Sequence, residues 1–213
     1  MENEKQQLEA LHDIRKMMKE SSKFLSLSGL SGVIAGVYAL IGAWLAHKAI
    51  MDFNMGYPRG GVNFLQEYQA LIIHFFLICF GVLSLSIITA LIFSANKAKK
   101  SGEKLFDHTS KKLVWNMMVP LGAGGIFCLA LLYNGGQCAL FVSPAMLIFY
   151  GLALVNSSKF TLHDIKYLGY LEIALGIGAS FFLGKGLLFW ALGFGVLHII
   201  YGTIMWFKYD RKN

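Results

Sequence analysis

Residues 165–207 read IKYLGYLEIALGIGASFFLGKGLLFWALGFGVLHIIYGTIMWF. Two apolar runs, 165–184 and 187–207, flank the short break Gly184-Lys185-Gly186. Each run approaches the about 20 apolar residues that an α-helix needs to cross the hydrocarbon layer of a bilayer. The glycines in the break favour a tight turn. This segment therefore predicts a helical hairpin that enters and leaves a membrane.

The rest of the chain repeats the pattern. Four further apolar runs precede this hairpin, at 24–50, 69–95, 113–134 and 137–156. The third and fourth of the six runs are separated only by a Gly-Gly pair, a second tight-turn signal. The sequence thus predicts an all-α polytopic membrane protein with six transmembrane helices in three helical hairpins. Short internal echoes, such as FGVL at 80–83 and 194–197, fit either parallel repeats or coincidence.

The composition excludes most other classes of protein. Of the 213 residues, 56% are hydrophobic and 15% are charged, whereas about a quarter of a typical soluble domain is charged. Few cysteines and prolines exclude disulfide-rich and collagen-like chains, and the apolar surplus excludes disorder. The first run follows a long polar segment and lacks an Ala-x-Ala exit. We therefore expect it to remain as a helix and not to be a cleaved signal peptide.

The basic residues predict the orientation of the helices. With six spans, sixteen of the 19 Lys and Arg residues fall on one side of the membrane, and Lys48, Arg59 and Lys185 fall on the other. An excess of Lys and Arg marks the cytoplasmic side. We therefore expect a multi-pass protein of the bacterial inner membrane with both termini in the cytoplasm. The net charge of +7 then suits the anionic cytoplasmic leaflet and not nucleic acid.

This topology divides the chain into three segments. Residues 1–22 are predicted to form a cytoplasmic amphipathic arm, because Leu8, Leu11, Ile14 and Met18 recur close to helical spacing. The arm would lie on the leaflet or against the bundle, or bind a protein partner through residues 2–22. Residues 23–208 form the transmembrane domain, and 209–213 form a basic cytoplasmic tail.

Small residues at helical spacing predict the close helix contacts. Hydrophobicity does not drive helices together within lipid, so small side chains that permit close approach have to help. The predicted packing residues are Gly32 and Gly36 in the first helix, Gly176 and Ser180 in the fifth, and Gly195 and Gly202 in the sixth. These faces should form the interior of the bundle, and the sequence leaves a homo-oligomer open.

Glu172 and His198 are ionisable residues that lie well inside the last two apolar runs. A charge near the bilayer centre costs about 2.5–3.5 kcal/mol on insertion scales, so such groups face protein or water. Their depths differ by about 5 Å, which side chains can cover. We expect an intramembrane polar pair, either ionic or neutral. The pair would serve as a structural clamp or as a proton relay, unless the two side chains do not meet.

A second polar group lies near the predicted outer surface. His47 and Lys48 end the first helix, and His74 lies early in the second. They form either an outer polar cluster or scattered interfacial residues. The spacing of Cys and His residues indicates no metal site, and we expect no cofactor.

The Gly-rich stretches 168–184 and 187–212, ending in a basic tail, resemble small six-helix bacterial inner-membrane proteins. Among these are acid-resistance membrane proteins built from repeated hairpins. The stretch SLSGLSGVIAGVYALIG at 26–42 is similar to uncharacterised bacterial integral membrane proteins. The resemblance implies a six-helix membrane fold and transfers no functional residue.

Two functions remain in competition. The sequence favours a non-enzymatic regulatory, stress-related or scaffolding component, since its loops are short and its intramembrane charges are few. The alternative is a small proton-coupled transporter or channel that uses Glu172 and His198. We do not expect an enzyme, because no nucleophile and base, and no set of metal ligands, cluster in the sequence; catalytic residues are therefore not assigned.

Overall fold

The structure is a computed structural model that describes Leu11, Ile14 and residues 27–56, 64–100 and 108–211. Apart from Leu11 and Ile14, the predicted arm at 1–22 lies outside the described residues. The described residues are almost entirely helical, and no strand occurs among them. Its helices are α1 (Gly29–Gly56), α2 (Phe64–Lys100), α3 (His108–Asn134), α4 (Val142–Ser157), α5 (Ile165–Phe181) and α6 (Gly186–Asp210).

Five of the six helical segments are long and apolar enough to cross a membrane. They are α1, α2, α3, α6 and the segment Gly136–Ser157 that contains α4. α5 has 17 residues and is therefore about 26 Å long at 1.5 Å per residue, slightly less than the hydrocarbon thickness. The prediction of an all-α chain is confirmed for the described residues, which contain six helices, five of them suited to a membrane span.

The fourth apolar run is not one uniform helix. A 3₁₀ helix, Gly136–Phe141, leads into α4. Gly135 and Gly136 have φ values of 61° and 54°, which glycine adopts without a steric cost. The two glycines therefore make the turn after α3, and the tighter 3₁₀ winding brings the chain into α4.

α6 is continuous but changes its winding twice. Its residues Ala191–Leu197 and Trp206–Asp210 are π-helical, and His198–Met205 between them is α-helical. A π segment inserts an extra residue into the helical repeat, and such bulges are frequent at functional sites. The first π segment consequently sets which side chains of α6 face α4 and α5.

Two helices of the bundle, α1 and α4, each pack against two neighbours. α1 packs against α2 on one side and along α6 on the other, whereas α4 packs against α3 and α5. α6 also contacts α4 near its start, where Ser143 donates a hydrogen bond of 2.6 Å to the Gly186 carbonyl. α6 thus joins the α1–α2 pair to the α3–α4–α5 group.

The outer helices α2 and α3 expose apolar side chains. None of the residues in the most apolar part of α2 is buried, and 11% are buried in α3. Phe80 is 61% exposed and Trp115 is 72% exposed. Continuous apolar surface of this extent would aggregate in water, so it indicates contact with lipid.

Candidate functional site

Glu172 lies on the buried face of α5 and is 0% exposed. The glycines one turn before and after it, Gly169 and Gly176, pack against α4. A methyl group on Gly169 would lie 2.7 Å from the Gly151 carbonyl oxygen, and one on Gly176 would lie 2.9 Å from the Pro144 carbonyl oxygen. Because these positions lack side chains, α4 and α5 approach closely enough to enclose the carboxyl group of Glu172.

Gly193 in the first π segment of α6 leaves room for that carboxyl group. A methyl group at Gly193 would lie 2.5 Å from Oε2 of Glu172 and 2.5 Å from Cδ2 of Leu147. Any larger residue would displace the carboxyl group or the leucine. The close approach of the carboxyl to the α6 backbone therefore depends on glycine at this position.

His198 begins the α-helical part of α6 and lies beside Glu172. Its Nδ1 is 2.9 Å from the Gly193 carbonyl oxygen and 3.5 Å from Oε1 of Glu172. Its Nε2 is 2.8 Å from the hydroxyl of Tyr150 in α4. A carbonyl oxygen only accepts, so Nδ1 carries hydrogen, and Nε2 of the neutral ring accepts from Tyr150. We call Tyr150, Glu172 and His198 the buried polar cluster.

Aromatic rings close the cluster on the α6 side. Phe194 stacks on the His198 ring at 5.9 Å between centroids and 22° between planes. It also lies 5.0 Å from the Tyr150 ring and 5.3 Å from that of Trp190. His198 is only 8% exposed. These rings keep water from the cluster, so its polar atoms can find hydrogen-bond partners only within the protein.

The carboxyl group of Glu172 makes fewer hydrogen bonds than the other side chains of this cluster. Neither of its oxygens has a hydrogen-bond partner among the described residues. A buried polar group without a partner is costly, and a buried charge costs more. Chemically, the arrangement can hold α4, α5 and α6 together through polar contacts, or pass a proton between Tyr150, His198 and Glu172.

The predicted packing residues lie at two separate interfaces. Gly32, Gly36, Gly195 and Gly202 lie between α1 and α6, where a methyl group on Gly36 would be 2.7 Å from the Gly195 carbonyl oxygen. Gly176 lies between α5 and α4, and the Ser180 hydroxyl donates to the Gly176 carbonyl at 3.1 Å. α5 and α6 therefore use their small residues to contact different helices.

The three candidates for an outer polar cluster do not assemble. His47, Lys48 and His74 are all exposed, and within the described ranges no hydrogen bond or ion pair joins them. His74 instead contacts its own helix, with Nδ1 2.9 Å from the Ala70 carbonyl oxygen. This arrangement fits scattered interfacial residues better than an outer polar cluster.

Sequence reasoning missed a network at the opposite end of α6 from Lys185. The Asp210 carboxylate accepts from the Gly29 backbone N–H at 2.8 Å and from the Ser28 hydroxyl at 3.1 Å. It also pairs with Nζ of Lys97 in α2 at 2.6 Å, and Lys97 donates to the Leu27 carbonyl at 3.0 Å. We call these residues the terminal network. The C-terminal end of α6 thereby caps α1 and holds α2.

A second ion pair flanks the terminal network. Lys208 and Tyr209 both donate to Oδ2 of Asp164, which directly precedes α5. The hydrogen bond from Lys208 holds the pKa of the Asp164 carboxyl below its ordinary value. The start of α5 is thus fixed beside the end of α6.

Asn116 and Asn156 tie α3 to α4 at the same end. Pro120 inside α3 cannot donate to the carbonyl of Asn116, four residues earlier. The side-chain amide of Asn156 donates to that carbonyl at 2.8 Å. A backbone acceptor that proline left free is thus satisfied by a neighbouring helix.

No cluster of three or more metal-binding His, Cys, Asp or Glu side chains occurs in the part of the chain that the structure describes. Comparison of the chain with known protein families, with curated proteins and with solved structures finds no match.

Proposed function

We propose that the chain is a non-enzymatic, six-span protein of a bacterial inner membrane that acts as a regulatory, stress-related or scaffolding component. The observation that carries this proposal is the complete enclosure of Glu172, which is 0% exposed between three packed helices. A transport site needs access from water at some stage. A carboxyl group that is enclosed this completely fits a structural clamp better than a transport site.

α5 completes the six spans despite its length. Ser143 at the start of α4 contacts Gly186 at the start of α6, whereas Asp164 before α5 contacts Lys208 near the end of α6. α5 therefore runs between the same two ends of the bundle as α4 and α6. This supports three consecutive hairpins with alternating direction.

The polar contacts also support one common cytoplasmic end. The start of α1 and the ends of α2 and α6 meet at Asp210, and the start of α5 meets the end of α6 at Asp164. Lys97, Lys166 and Lys208 belong to this end, whereas Lys185 lies in the turn at the other. An excess of basic residues at one end fits a cytoplasmic location of both termini.

Labelling of single cysteines tests the topology. In a chain whose three native cysteines are replaced by serine, we expect Lys185→Cys to react with an impermeant maleimide in intact spheroplasts. Lys166→Cys should react only after permeabilisation. Equal reaction of both positions before permeabilisation would contradict the proposed spans.

A conservative substitution tests the clamp. Glu172→Gln should reduce the fraction of folded, monodisperse protein, because it weakens the contact with His198. Ser180→Ala is the matched control, since the Ser180 hydroxyl bonds only its own helix in the described chain. Proteoliposomes with the native chain should show no proton flux above that of protein-free liposomes.

A proton-coupled transporter is the second candidate. It is favoured by the carboxyl oxygens of Glu172, which lack hydrogen-bond partners in the described residues. One of them lies 3.5 Å from Nδ1 of His198, whose Nε2 contacts Tyr150. The same experiment separates the two functions. Proton flux in the native chain that Glu172→Gln abolishes, with folding unchanged, would favour transport and contradict the clamp.

A further inference from the structure

The folded chain gives the Glu172 carboxyl group no hydrogen-bond donor. Neither of its oxygens has a hydrogen-bond partner among the described residues, although the side chain is 0% exposed. Nδ1 of His198 lies 3.5 Å from Oε1, but it donates its hydrogen to the Gly193 carbonyl oxygen at 2.9 Å. An ionised carboxylate only accepts hydrogen bonds, so ionisation of Glu172 would create a charged acceptor that this site leaves unsatisfied.

Basic side chains do not compensate a charge on Glu172 either. The sequence has no Lys or Arg in α4, and none between Gly186 and Phe207 of α6. In α5, Lys166 lies six residues before Glu172, about 9 Å along the helix axis. Its Nζ contacts Nε2 of His163 at 2.7 Å, at the exposed start of the helix. The carboxyl group therefore has no fixed positive charge as a partner.

Tyr150 of α4 and His198 of α6 are the titratable groups that face Glu172 from the described helices packed against it. The neutral ring of His198 donates from Nδ1 to Gly193 and accepts at Nε2 from the Tyr150 hydroxyl, so both ring nitrogens are satisfied. Protonation of Nε2 would take that acceptor from Tyr150 and would bring no hydrogen bond to Glu172. A neutral carboxylic acid beside a neutral histidine avoids a buried charge, which costs far more than an unsatisfied neutral group.

We propose that Glu172 is a proton-binding site: the folded protein holds a proton on this carboxyl group and returns it to water when α5 and α6 separate. The inference rests on the proposed clamp and adds its regulation. The clamp is closed with the uncharged acid, and it weakens as the pH rises, because the hydrocarbon layer does not stabilise a carboxylate. Since α6 joins the α1–α2 pair to the α3–α4–α5 group, the proton acts on the joint between these two parts of the bundle.

Infrared spectroscopy of the full chain in lipid at neutral pH tests for the bound proton. Carboxyl groups in water are ionised there, because their ordinary pKa is about 4, and they lack the carbonyl stretch of a carboxylic acid. Glu172 is the buried glutamate of the described residues. We expect a carboxylic acid band that shifts when glutamate, and not aspartate, carries a heavy carbon isotope in its side-chain carboxyl group. This measurement needs no variant, and absence of the band from the folded chain would overturn the proposal.

The pH dependence of stability tests the release of the proton. Unfolding in mixed micelles moves Glu172 into water, where the carboxyl group ionises, so the unfolded chain holds one proton fewer than the folded chain. Stability therefore falls as the pH rises. Between about pH 7 and about pH 9, where histidines in water are mostly neutral, the unfolding equilibrium constant should increase about tenfold per pH unit until the folded chain releases the proton.

Two variants assign this pH dependence. Glu172→Leu should abolish it, because the variant has no carboxyl group at this position. Ser180→Ala should retain it, since the Ser180 hydroxyl bonds only its own helix in the described chain. An unfolding constant of the native chain that does not change with pH, or an equal pH dependence in Glu172→Leu, would overturn the proposal.

The Glu172→Gln variant separates failure of this site from failure of the clamp. An amide carries two hydrogens on nitrogen where the acid carries one on oxygen, and a methyl group on Gly193 would already lie 2.5 Å from Oε2, so Gln is not equivalent to the acid here. If Glu172→Gln lowers the folded fraction but the native chain lacks the glutamate band, the clamp stands and the proton site is wrong. If the variant folds normally and the band is present, the proton is bound, but the clamp and its regulation are wrong.

Discussion

α6 is anchored at two depths by two different kinds of polar contact. At mid-length, the buried polar cluster joins His198 to Tyr150 and to Glu172, which is 0% exposed. At the C-terminal end, Asp210 of the terminal network binds Lys97 and the start of α1, with 13% of the Asp210 side chain exposed. The first contact is enclosed by rings and glycines, and the second reaches solvent.

The difference follows from the solvent at each depth. In the hydrocarbon layer a formal charge is expensive, so polar groups are few and are surrounded by protein. At the membrane surface water stabilises charges, and complete ion pairs such as Asp210–Lys97 are tolerated. Removal of one side chain of a polar contact should therefore lower the free energy of unfolding most in the buried polar cluster and least at the exposed ion pairs.

The largest expected effect is at Glu172. Glu172→Leu removes the carboxyl group and leaves the polar ring of His198 without its partner in α5. Because the His198 ring is neutral in this arrangement, no buried charge is left behind, and loss of the contact with a buried polar partner should cost up to about 3 kcal/mol. Unfolding of the protein in mixed micelles measures the change. A loss no greater than that of an Asp210 substitution would contradict the greater cost expected for polar groups within the hydrocarbon layer.

Gly193→Ala tests whether the close fit of the π segment matters. The added methyl group would meet Oε2 of Glu172 and Cδ2 of Leu147, each at 2.5 Å. Overpacking of this kind costs about 1–3 kcal/mol. Gly81→Ala in α2 is the control, because nothing lies within 4 Å of the new methyl group. Similar stability of the two variants would mean that Gly193 does not position the carboxyl.

Asp210→Ala probes the terminal network. The variant loses the cap of α1 and the ion pair with Lys97, for which we expect a loss of about 1–2 kcal/mol. Asp210→Asn should lose less, since its side-chain oxygen can still accept from the Gly29 N–H. The difference between the two variants is measured by the same unfolding experiment. Equal losses would show that the ion pair, and not the cap, stabilises this end.

The smallest effect is expected at Asp164. Its pKa is lowered in the folded protein, so its ion pair stabilises the fold above the ordinary carboxyl pKa. This stabilisation is lost as the pH falls through the lowered pKa. Asp164→Asn should therefore be less stable than the native chain at neutral pH and equally stable in strong acid. A pH-independent difference would contradict this origin.

The helices could be predicted from the sequence, because their apolar runs are longer than any apolar run expected in an ordinary surface segment. The structure also places His198 within 3.5 Å of Glu172, as the matching depths of the two residues suggested. Small residues on the same helix faces as Glu172 and His198 indicated that both side chains point into the bundle. Their function remains a proposal.

Tyr150, Gly193 and Asp210 were not assigned to a site from the sequence. Tyr150 lies 48 residues from His198, and Asp210 lies 181 from Gly29, so their contacts depend on tertiary packing. The π segment shifts the faces of α6 by one residue, which regular helical spacing does not predict. Lys97 was interpreted only as a marker of orientation, although it also bonds two partners.

Glu172 and His198 should stabilise the fold as a coupled structural clamp. A double-mutant cycle with Glu172→Leu and His198→Leu measures this coupling, because the bonds of His198 to Tyr150 and Gly193 cancel in the cycle. We predict that the double variant loses at least about 1 kcal/mol less stability than the sum of the two single variants. Strict additivity of the two losses would contradict the clamp.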